Sequence, residues 1–86
     1  MAQHGFKQIY ETILDVIEPR LSEAGFDRAT IEPETDLSSF IDSFGLLETI
    51  MDIEERAGVS ADLGEMDFAK AMTIGGLASE IIRINS

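Results

Sequence analysis

The sequence contains no cysteine, only two prolines and a single histidine, and it has no long hydrophobic run. Without cysteine the chain forms no disulfide, offers no thiolate to a metal and has no cysteine nucleophile. No apolar run approaches the ~20 residues of a membrane span, and no positively charged leader precedes an apolar stretch. These absences predict a cytoplasmic domain that does not insert into a membrane.

Basic residues are also scarce, because 6 Lys and Arg face 17 Asp and Glu and give a formal net charge of −11. Binding to a nucleic-acid backbone or to an anionic membrane surface needs Lys and Arg, so both functions are disfavoured. The charge favours basic protein partners, which electrostatic attraction brings in quickly. It is concentrated between Asp42 and Asp67, where eight acids accompany one base, Arg56.

The length of 86 residues predicts one small domain, residues 1–86, with a loose terminus at about residues 1–5. A hydrophobic fraction of 44% is enough for a globular core and argues against a disordered acidic tail. His4 has no second ligand nearby, so we expect it on the surface and not on a metal. A monomer is the expected state for a domain of this charge.

Helical spacing of apolar residues begins at Phe6 and predicts a long first helix. Pro19 predicts a kink, or a second short helix that starts there, and Gly25 predicts the C-terminal end. Residues Phe26–Ile41 lack sustained periodicity and predict a long ordered loop, a kind of segment that is often functional. Three apolar side chains are expected to anchor this loop to the core: Ile31, Leu37 and Phe40.

The second helix is predicted from about Ser43 to Arg56, and Gly58 ends it. After a loop at Val59–Gly64, residues Asp67–Ala71 support a short third helix or a single turn. Thr73 is the expected N-cap of the last helix. Its predicted buried stripe comprises Ile74, Leu77, Ala78, Ile81 and Ile82.

The side chain expected in the core near the short third helix is Met66 or Phe68. Gly75 and Gly76 weaken the first turn of the last helix by about 1 kcal/mol each relative to alanine. No segment shows the alternation typical of a strand. The predicted fold class is therefore all-α, a small four-helix bundle of three main helices and one short helix.

The second helix carries two stripes at helical spacing. One is an ordinary buried face, Leu46, Ile50, Ile53 and Ala57. The other mixes apolar side chains with acids: Phe44, Leu47, Glu48, Met51 and Glu55. A purely structural helix rarely carries Phe, Leu and Met among carboxylates on its wetter side, so we interpret this stripe as a docking surface. Ser43 is predicted as the N-cap at its tip.

Catalysis and calcium binding are both disfavoured by the residues around Ser43. A serine hydrolase needs a base within hydrogen-bonding reach, and His4, the sole histidine, lies in the predicted loose terminus. The acids of an exposed helix have nothing to separate their pKa values, as acid–base catalysis requires. An EF-hand loop starting at Asp36 would need glycine at position 6 and glutamate at position 12, but these positions hold Ile41 and Leu47. We therefore expect no enzyme and no metal site.

With catalysis and calcium binding disfavoured, the remaining hypothesis is that Ser43 is presented for covalent modification. The N-terminus of a helix suits a phosphate ester, because free N–H groups and the helix dipole favour an anion there. Asp42 before Ser43 and Glu48 after it would then serve recognition by a basic modifying enzyme.

These residues resemble the signature of the carrier-protein family, which comprises acyl, peptidyl and D-alanyl carrier proteins, four-helix domains of about this length. The resemblance lies in Asp42-Ser43-Phe44, in Leu47-Glu48 and in the tail Ile53-Glu54-Glu55. It extends to the preceding loop, Ile31-Glu32-Pro33-Glu34-Thr35-Asp36-Leu37, and to Met72-Thr73-Ile74 at the entry to the last helix. About residues 6–84 are covered.

The resemblance implies that Ser43 is the attachment site of 4′-phosphopantetheine, whose terminal thiol holds an acyl or aminoacyl group as a thioester, with Asp42 as its acidic neighbour. It also implies a face read by partner enzymes: Phe44, Leu47, Glu48, Met51, Glu54 and Glu55. The implied partners are a phosphopantetheinyl transferase, an AMP-forming acyl or aminoacyl ligase, and acyl-using transferases or synthases. The protein itself would have no catalytic residue.

The cargo is suggested by departures from the fatty-acid carriers, which usually have leucine and then an acid after the serine. Here the pair is Phe44-Gly45, and Ser38-Ser39-Phe40-Ile41 stands where fatty-acid carriers often have Asp-Leu-Gly. Asp-Ser-Phe-Gly is more similar to D-alanyl and some stand-alone aminoacyl carriers. The alternatives left open are a housekeeping fatty-acid carrier and an unmodified acidic adaptor.

Overall fold

Three α-helices make up the framework of the computed structural model, which describes residues 5–86: α1 (Phe6–Glu23), α2 (Ser43–Ala57) and α3 (Ile74–Ile84). Single 3₁₀ turns occur at Arg28–Thr30, Leu37–Ser39 and Lys70–Met72. Within residues 5–86 there is no strand, only one isolated antiparallel bridge between Asp36 and Thr73. The predicted all-α class is confirmed. His4 and most of the predicted loose terminus lie outside the described residues.

Helix α1 continues through Pro19, so no second helix begins there. The proline is exposed and lies in the C-terminal part of α1. The predicted stop at Gly25 is confirmed, because this residue adopts a positive φ of 83°. The following N–H, of Phe26, donates to the carbonyl of Leu21 at 2.8 Å, which closes the helix in a Schellman-type cap.

Helix α2 ends as predicted at Gly58, which has a positive φ of 65° and donates its N–H to the carbonyl of Glu54 at 2.9 Å. Its last residue is Ala57, one beyond the predicted Arg56. A left-handed residue after the last turn is the usual role of glycine at this position.

The core lies between the three helices, and α1 contacts both α2 and α3. The side chains that contribute most are aliphatic and at most 1% exposed: Ile9, Ile13, Ile17, Leu21, Leu37, Ile50, Ile53, Ile74, Leu77 and Ile81. The predicted stripe of the last helix is buried except for Ile82, which is partly buried against the core. Of the three expected loop anchors, Leu37 is buried, and Ile31 and Phe40 pack partly buried against the core.

Of the two alternatives predicted for Asp67–Ala71, a short helix or a single turn, the structure has the turn, a 3₁₀ turn at Lys70–Met72. Of the two core candidates before it, Met66 is 6% exposed and buried, whereas Phe68 is 38% exposed. The segment is held by backbone and carboxylate hydrogen bonds: the N–H of Asp67 donates to Glu80 Oε1 of α3 at 2.9 Å. Its ordering therefore depends on α3 more than on helical periodicity of its own.

The first turn of α3 holds the long loop that leads to α2. Thr73 caps α3 as predicted, since its Oγ1 accepts from the N–H of Gly76 at 3.0 Å. The N–H of Gly75 donates to the carbonyl of Pro33 at 2.8 Å, and that of Ile74 donates to the carbonyl of Thr35 at 3.2 Å. These bonds satisfy N–H groups that a helix start leaves free, and they fix the loop before α2.

Gly75 and Gly76 are required by this packing. A Cβ at position 75 would lie 2.9 Å from the Cβ of Pro33. At position 76 a Cβ would overlap the carbonyl oxygen of Lys70. The two glycines lower helix propensity, but they allow the loop and the 3₁₀ turn to lie directly against α3.

Candidate functional site

Asp42, and not Ser43, is the N-cap of α2. The Asp42 backbone is extended, and its Oδ1 accepts from the N–H of Gly45 at 2.7 Å. The prediction that Ser43 caps the helix is therefore wrong by one residue. Carboxylates are at least as good as hydroxyls in this position, and the carboxylate charge also interacts favourably with the helix dipole. The side chain of Ser43 is thereby released from a structural task.

Ser43 is the first residue of α2, and it is exposed. Its hydroxyl makes no hydrogen bond within residues 5–86. The N–H groups of Ser43 and Phe44 also have no acceptor in this range, as is usual in the first turn of a helix. The serine therefore presents a free hydroxyl beside two free N–H donors.

Two clefts border Ser43, one on each side. The first, of about 360 Å³, lies between α2, the loop before it and the 3₁₀ turn before α3, and it is lined by Leu37, Ser38, Ile41, Asp42, Ser43, Leu46 and Met72. The second, of about 390 Å³, is a more open surface depression lined by Asp42, Ser43, Phe44 and Leu47. Open space therefore lies on both sides of the hydroxyl.

The predicted docking stripe is exposed along α2. Phe44 is 80% exposed, Met51 62% and Leu47 38%. The carboxylates of Glu48 and Glu55 are exposed beside them. An exposed apolar side chain by itself is ordinary, but three on one helix face beside a free serine form a continuous surface.

Glu54 differs from the other predicted docking residues. It is only partly exposed, and its Oε2 accepts from the N–H of Ala61 at 2.7 Å. This bond holds the loop after α2 against the helix. Asn85, the C-cap of α3, also holds this loop. Its Oδ1 accepts from the N–H of Ser60, and its Nδ2 donates to the carbonyl of Ser60.

Arg20 of α1 joins the site, and the sequence analysis missed it. Its Nη2 donates to Glu48 Oε1 at 3.1 Å. Its Nη1 lies over Gly45, where a Cβ would be 2.9 Å away. The two partners are 28 residues apart, so no local pattern could predict the pair. The only sequence signal was a glycine in the first turn of an otherwise good helix.

The loop before Ser43 is stabilised by Asp36. Its Oδ1 accepts from the N–H of Ser38 at 2.9 Å and from the Ser38 hydroxyl at 2.8 Å. These two hydrogen bonds hold the pKa of the Asp36 carboxyl below its ordinary value, the backbone bond contributing most. The carboxylate thus organises the turn at Leu37–Ser39 that leads into the site.

Within residues 5–86, no group of three or more Asp, Glu, His or Cys side chains is placed to hold a metal ion. None of the described helices is both long and apolar enough to cross a membrane. Comparison of the chain with protein-family models, curated protein sequences and solved structures finds no match.

Proposed function

We propose that this protein is a stand-alone acyl carrier of the four-helix carrier type, with 4′-phosphopantetheine attached to Ser43. The three-helix framework with a 3₁₀ turn before α3 is compatible with that fold. The observation that carries the proposal is the free, exposed hydroxyl of Ser43 at the first residue of α2. It follows an acidic cap and is followed by an exposed apolar side chain, as the Asp42-Ser43-Phe44 signature requires.

The residues present fit the group. The hydroxyl of Ser43 has no competing hydrogen bond within the described chain, and clefts flank it on both sides. The free N–H groups of Ser43 and Phe44 can donate to phosphate oxygens, and the helix dipole favours the negative charge. When bound, the group supplies a terminal thiol that holds an acyl or aminoacyl cargo as a thioester.

The proposed attachment is a phosphoryl-type transfer from coenzyme A, carried out by a phosphopantetheinyl transferase. The Ser43 Oγ–phosphorus bond forms while the pyrophosphate bond of coenzyme A breaks. The adenosine bisphosphate half leaves, and the proton of the serine hydroxyl passes to a base on the transferase. In this proposal the carrier supplies only the nucleophilic hydroxyl and its position, and the catalytic base belongs to the transferase.

Presentation to partners is the role proposed for the exposed face of α2. Phe44, Leu47 and Met51 offer apolar contact area from the N-terminus to the middle of α2, and Glu48 and Glu55 attract a basic partner surface. The proposed partners are the transferase, an AMP-forming acyl or aminoacyl ligase, and acyl-using transferases or synthases. Glu54 is the weakest member of this set, because its carboxylate already binds the N–H of Ala61.

The proposed cargo class is aminoacyl, as in D-alanyl-type carriers, and rests on the Phe44-Gly45 pair after the serine. The structure adds a reason for glycine here: a Cβ at position 45 would contact Arg20, Ile41 and Asp42 within 3.2 Å. The absence of a side chain at Gly45 thus leaves room for Arg20, which forms the ion pair between α1 and α2. A housekeeping fatty-acid carrier remains the alternative with the same attachment chemistry.

A second candidate function is an unmodified acidic adaptor. The observation in its favour is the exposure of Phe44 and Met51, which would support docking with no group on Ser43. Adaptor binding would be insensitive to Ser43→Ala and would be lost in Phe44→Ala. A carrier would lose modification in Ser43→Ala.

Labelling with a fluorescent coenzyme A analogue tests the proposal against the adaptor. Wild type, Ser43→Ala and Ser39→Ala are each incubated with the analogue and a broad-specificity phosphopantetheinyl transferase, and in-gel fluorescence is measured. We expect equal labelling of wild type and Ser39→Ala and none of Ser43→Ala. Labelling that survives Ser43→Ala would place the reactive residue elsewhere, and no labelling of folded wild type would favour the adaptor.

A further inference from the structure

The exposed face of α2 is not uniformly acidic, because Arg20 reaches it from α1. Its guanidinium contacts Glu48, the acid of the docking stripe nearest to Ser43, at 3.1 Å. The side chains are 35% and 68% exposed, so the ion pair is accessible from solvent. One positive charge therefore lies at the serine end of the face.

The acids at the other end of the face form no ion pair within the described residues, although Arg56 is exposed in the last turn of α2. Glu55 forms no ion pair within residues 5–86, and neither does Asp52, one turn beyond Glu48. A partner that approaches this face meets an internally paired acid near Ser43 and unpaired acids farther along α2. The charge of the face thus changes along the helix axis.

Gly45 leaves room for the Arg20 guanidinium in this arrangement. A Cβ at position 45 would lie 2.9 Å from Arg20 Nη1, so the guanidinium would have to move from its present place. Asp42 Oδ1 would lie 3.2 Å from the same Cβ, so the guanidinium rests against the capped first turn of α2. The cation is consequently placed within one helical turn of Ser43.

We propose that Arg20 is a specificity-determining residue for partner docking, because it pairs with Glu48 in the free protein. This inference rests on the proposed function. The face fits a partner that carries basic side chains opposite Glu55 and Asp52, with none opposite the Arg20–Glu48 pair. A partner with a base at that point must displace Arg20 from Glu48 and accept a like charge beside it, which disfavours the complex.

Kinetics of Ser43 modification provide the test, with coenzyme A and a broad-specificity phosphopantetheinyl transferase as the probe. The variants are Arg20→Gln, Glu48→Gln and their combination, measured as kcat and KM for the carrier at several salt concentrations. Arg56→Gln is the matched control, because it removes the same charge near α2 from a residue without an ion pair in the described chain. Glu55→Gln checks that the transferase reads this face.

If the transferase has a basic side chain opposite Glu48, Arg20→Gln removes the cation that competes with it. We then expect KM to fall ~2- to 5-fold, the range for exposed ion pairs, with kcat unchanged. The same change in the Glu48→Gln background should have no effect beyond that of Arg56→Gln. Glu55→Gln should raise KM, and its effect should fade with salt.

Three results would overturn the inference while leaving the proposed function intact. They are equal effects of Arg20→Gln and Arg56→Gln, an increase of KM in Arg20→Gln that persists without Glu48, and no effect of Glu55→Gln. Absence of any modification of folded wild type would overturn the proposed function, and this inference with it. Circular dichroism of each variant establishes that it is folded.

Discussion

The Asp42 carboxylate accepts a hydrogen bond from the N–H of Gly45 at 2.7 Å, and this bond leaves Ser43 free as the first residue of α2. Two adjacent residues therefore have different roles. Asp42 caps the N-terminus of α2, while the Ser43 hydroxyl makes no hydrogen bond within the described chain. Mutations at the two positions should therefore have different consequences.

Asp42→Ala should lower the free energy of unfolding by about 1 kcal/mol, the usual cost of losing an N-cap side chain. Asp42→Ser keeps a capping oxygen and should recover most of this loss. Urea unfolding followed by circular dichroism measures both changes. The matched control is Asp52→Ala, which removes an exposed acid from the middle of the same helix and should change stability little. Equal losses in Asp42→Ala and Asp52→Ala would contradict the capping role.

Gly76→Ala tests the close contact between α3 and the 3₁₀ turn. Helix propensity alone predicts that alanine stabilises this position by about 1 kcal/mol. The structure predicts the opposite sign, because the Cβ would overlap the carbonyl oxygen of Lys70. We expect a loss of about 1–3 kcal/mol or more, as for other over-packed sites. Gly5→Ala is the control, since a Cβ there would have no atom of the described chain within 4 Å apart from its own chain neighbours. A midpoint of thermal unfolding that rises in Gly76→Ala would refute the contact.

Thr49→Val should stabilise the protein. Thr49 is 1% exposed, and within residues 5–86 its hydroxyl has no hydrogen-bond partner. A buried hydroxyl without a partner costs about 1–3 kcal/mol, and valine removes it while keeping the shape. We expect a gain of about 1 kcal/mol in chemical denaturation. Thr12→Val serves as the comparison, because that hydroxyl donates to the carbonyl of Gln8 and its removal should not stabilise. A loss of stability in Thr49→Val would indicate that its hydroxyl is satisfied in solution.

The stability contributed by Glu80 should depend on pH. Arg83 hydrogen bonds, together with the N–H of Asp67, lower the pKa of Glu80 to about 2 from its ordinary value of 4.5. A carboxyl with a lowered folded-state pKa stabilises above its unfolded value and loses that contribution as the pH falls toward the folded value. The difference in unfolding free energy between wild type and Glu80→Gln should therefore be greatest near neutral pH.

Between pH 4.5 and 2 that difference should shrink. Urea titrations at a series of pH values measure it. Glu23→Gln, an exposed substitution at the end of α1, accounts for the general effect of removing one negative charge. A difference for Glu80→Gln that is constant with pH would show that its carboxylate does not hold the segment before α3.

Helix periodicity, stop signals and caps predicted much of this fold. Gly25, Gly58 and Thr73 act as expected because helix ends are determined by local backbone geometry. The sequence could not decide between a short helix and a single turn at Asp67–Ala71, because the order of this segment depends on a bond to Glu80, which is 13 residues away. Local patterns carry no information about such a bond.

The same distinction applies to the candidate site. The location of Ser43 at the start of α2 and the exposure of Phe44 and Met51 could be predicted, because both depend on the register of one helix. The choice between Asp42 and Ser43 as cap could not, since both residue types are favoured there. The contact of Arg20 with Glu48 depends on how α1 packs on α2, which periodicity does not determine.

Intact mass spectrometry tests the central claim most directly. Wild type and Ser43→Ala, each shown to be folded, are incubated with coenzyme A and a broad-specificity phosphopantetheinyl transferase, and the mass of each chain is measured. The account predicts that wild type gains the mass of one phosphopantetheine and that Ser43→Ala gains nothing. An unchanged mass of wild type, or an equal gain in both proteins, would contradict it.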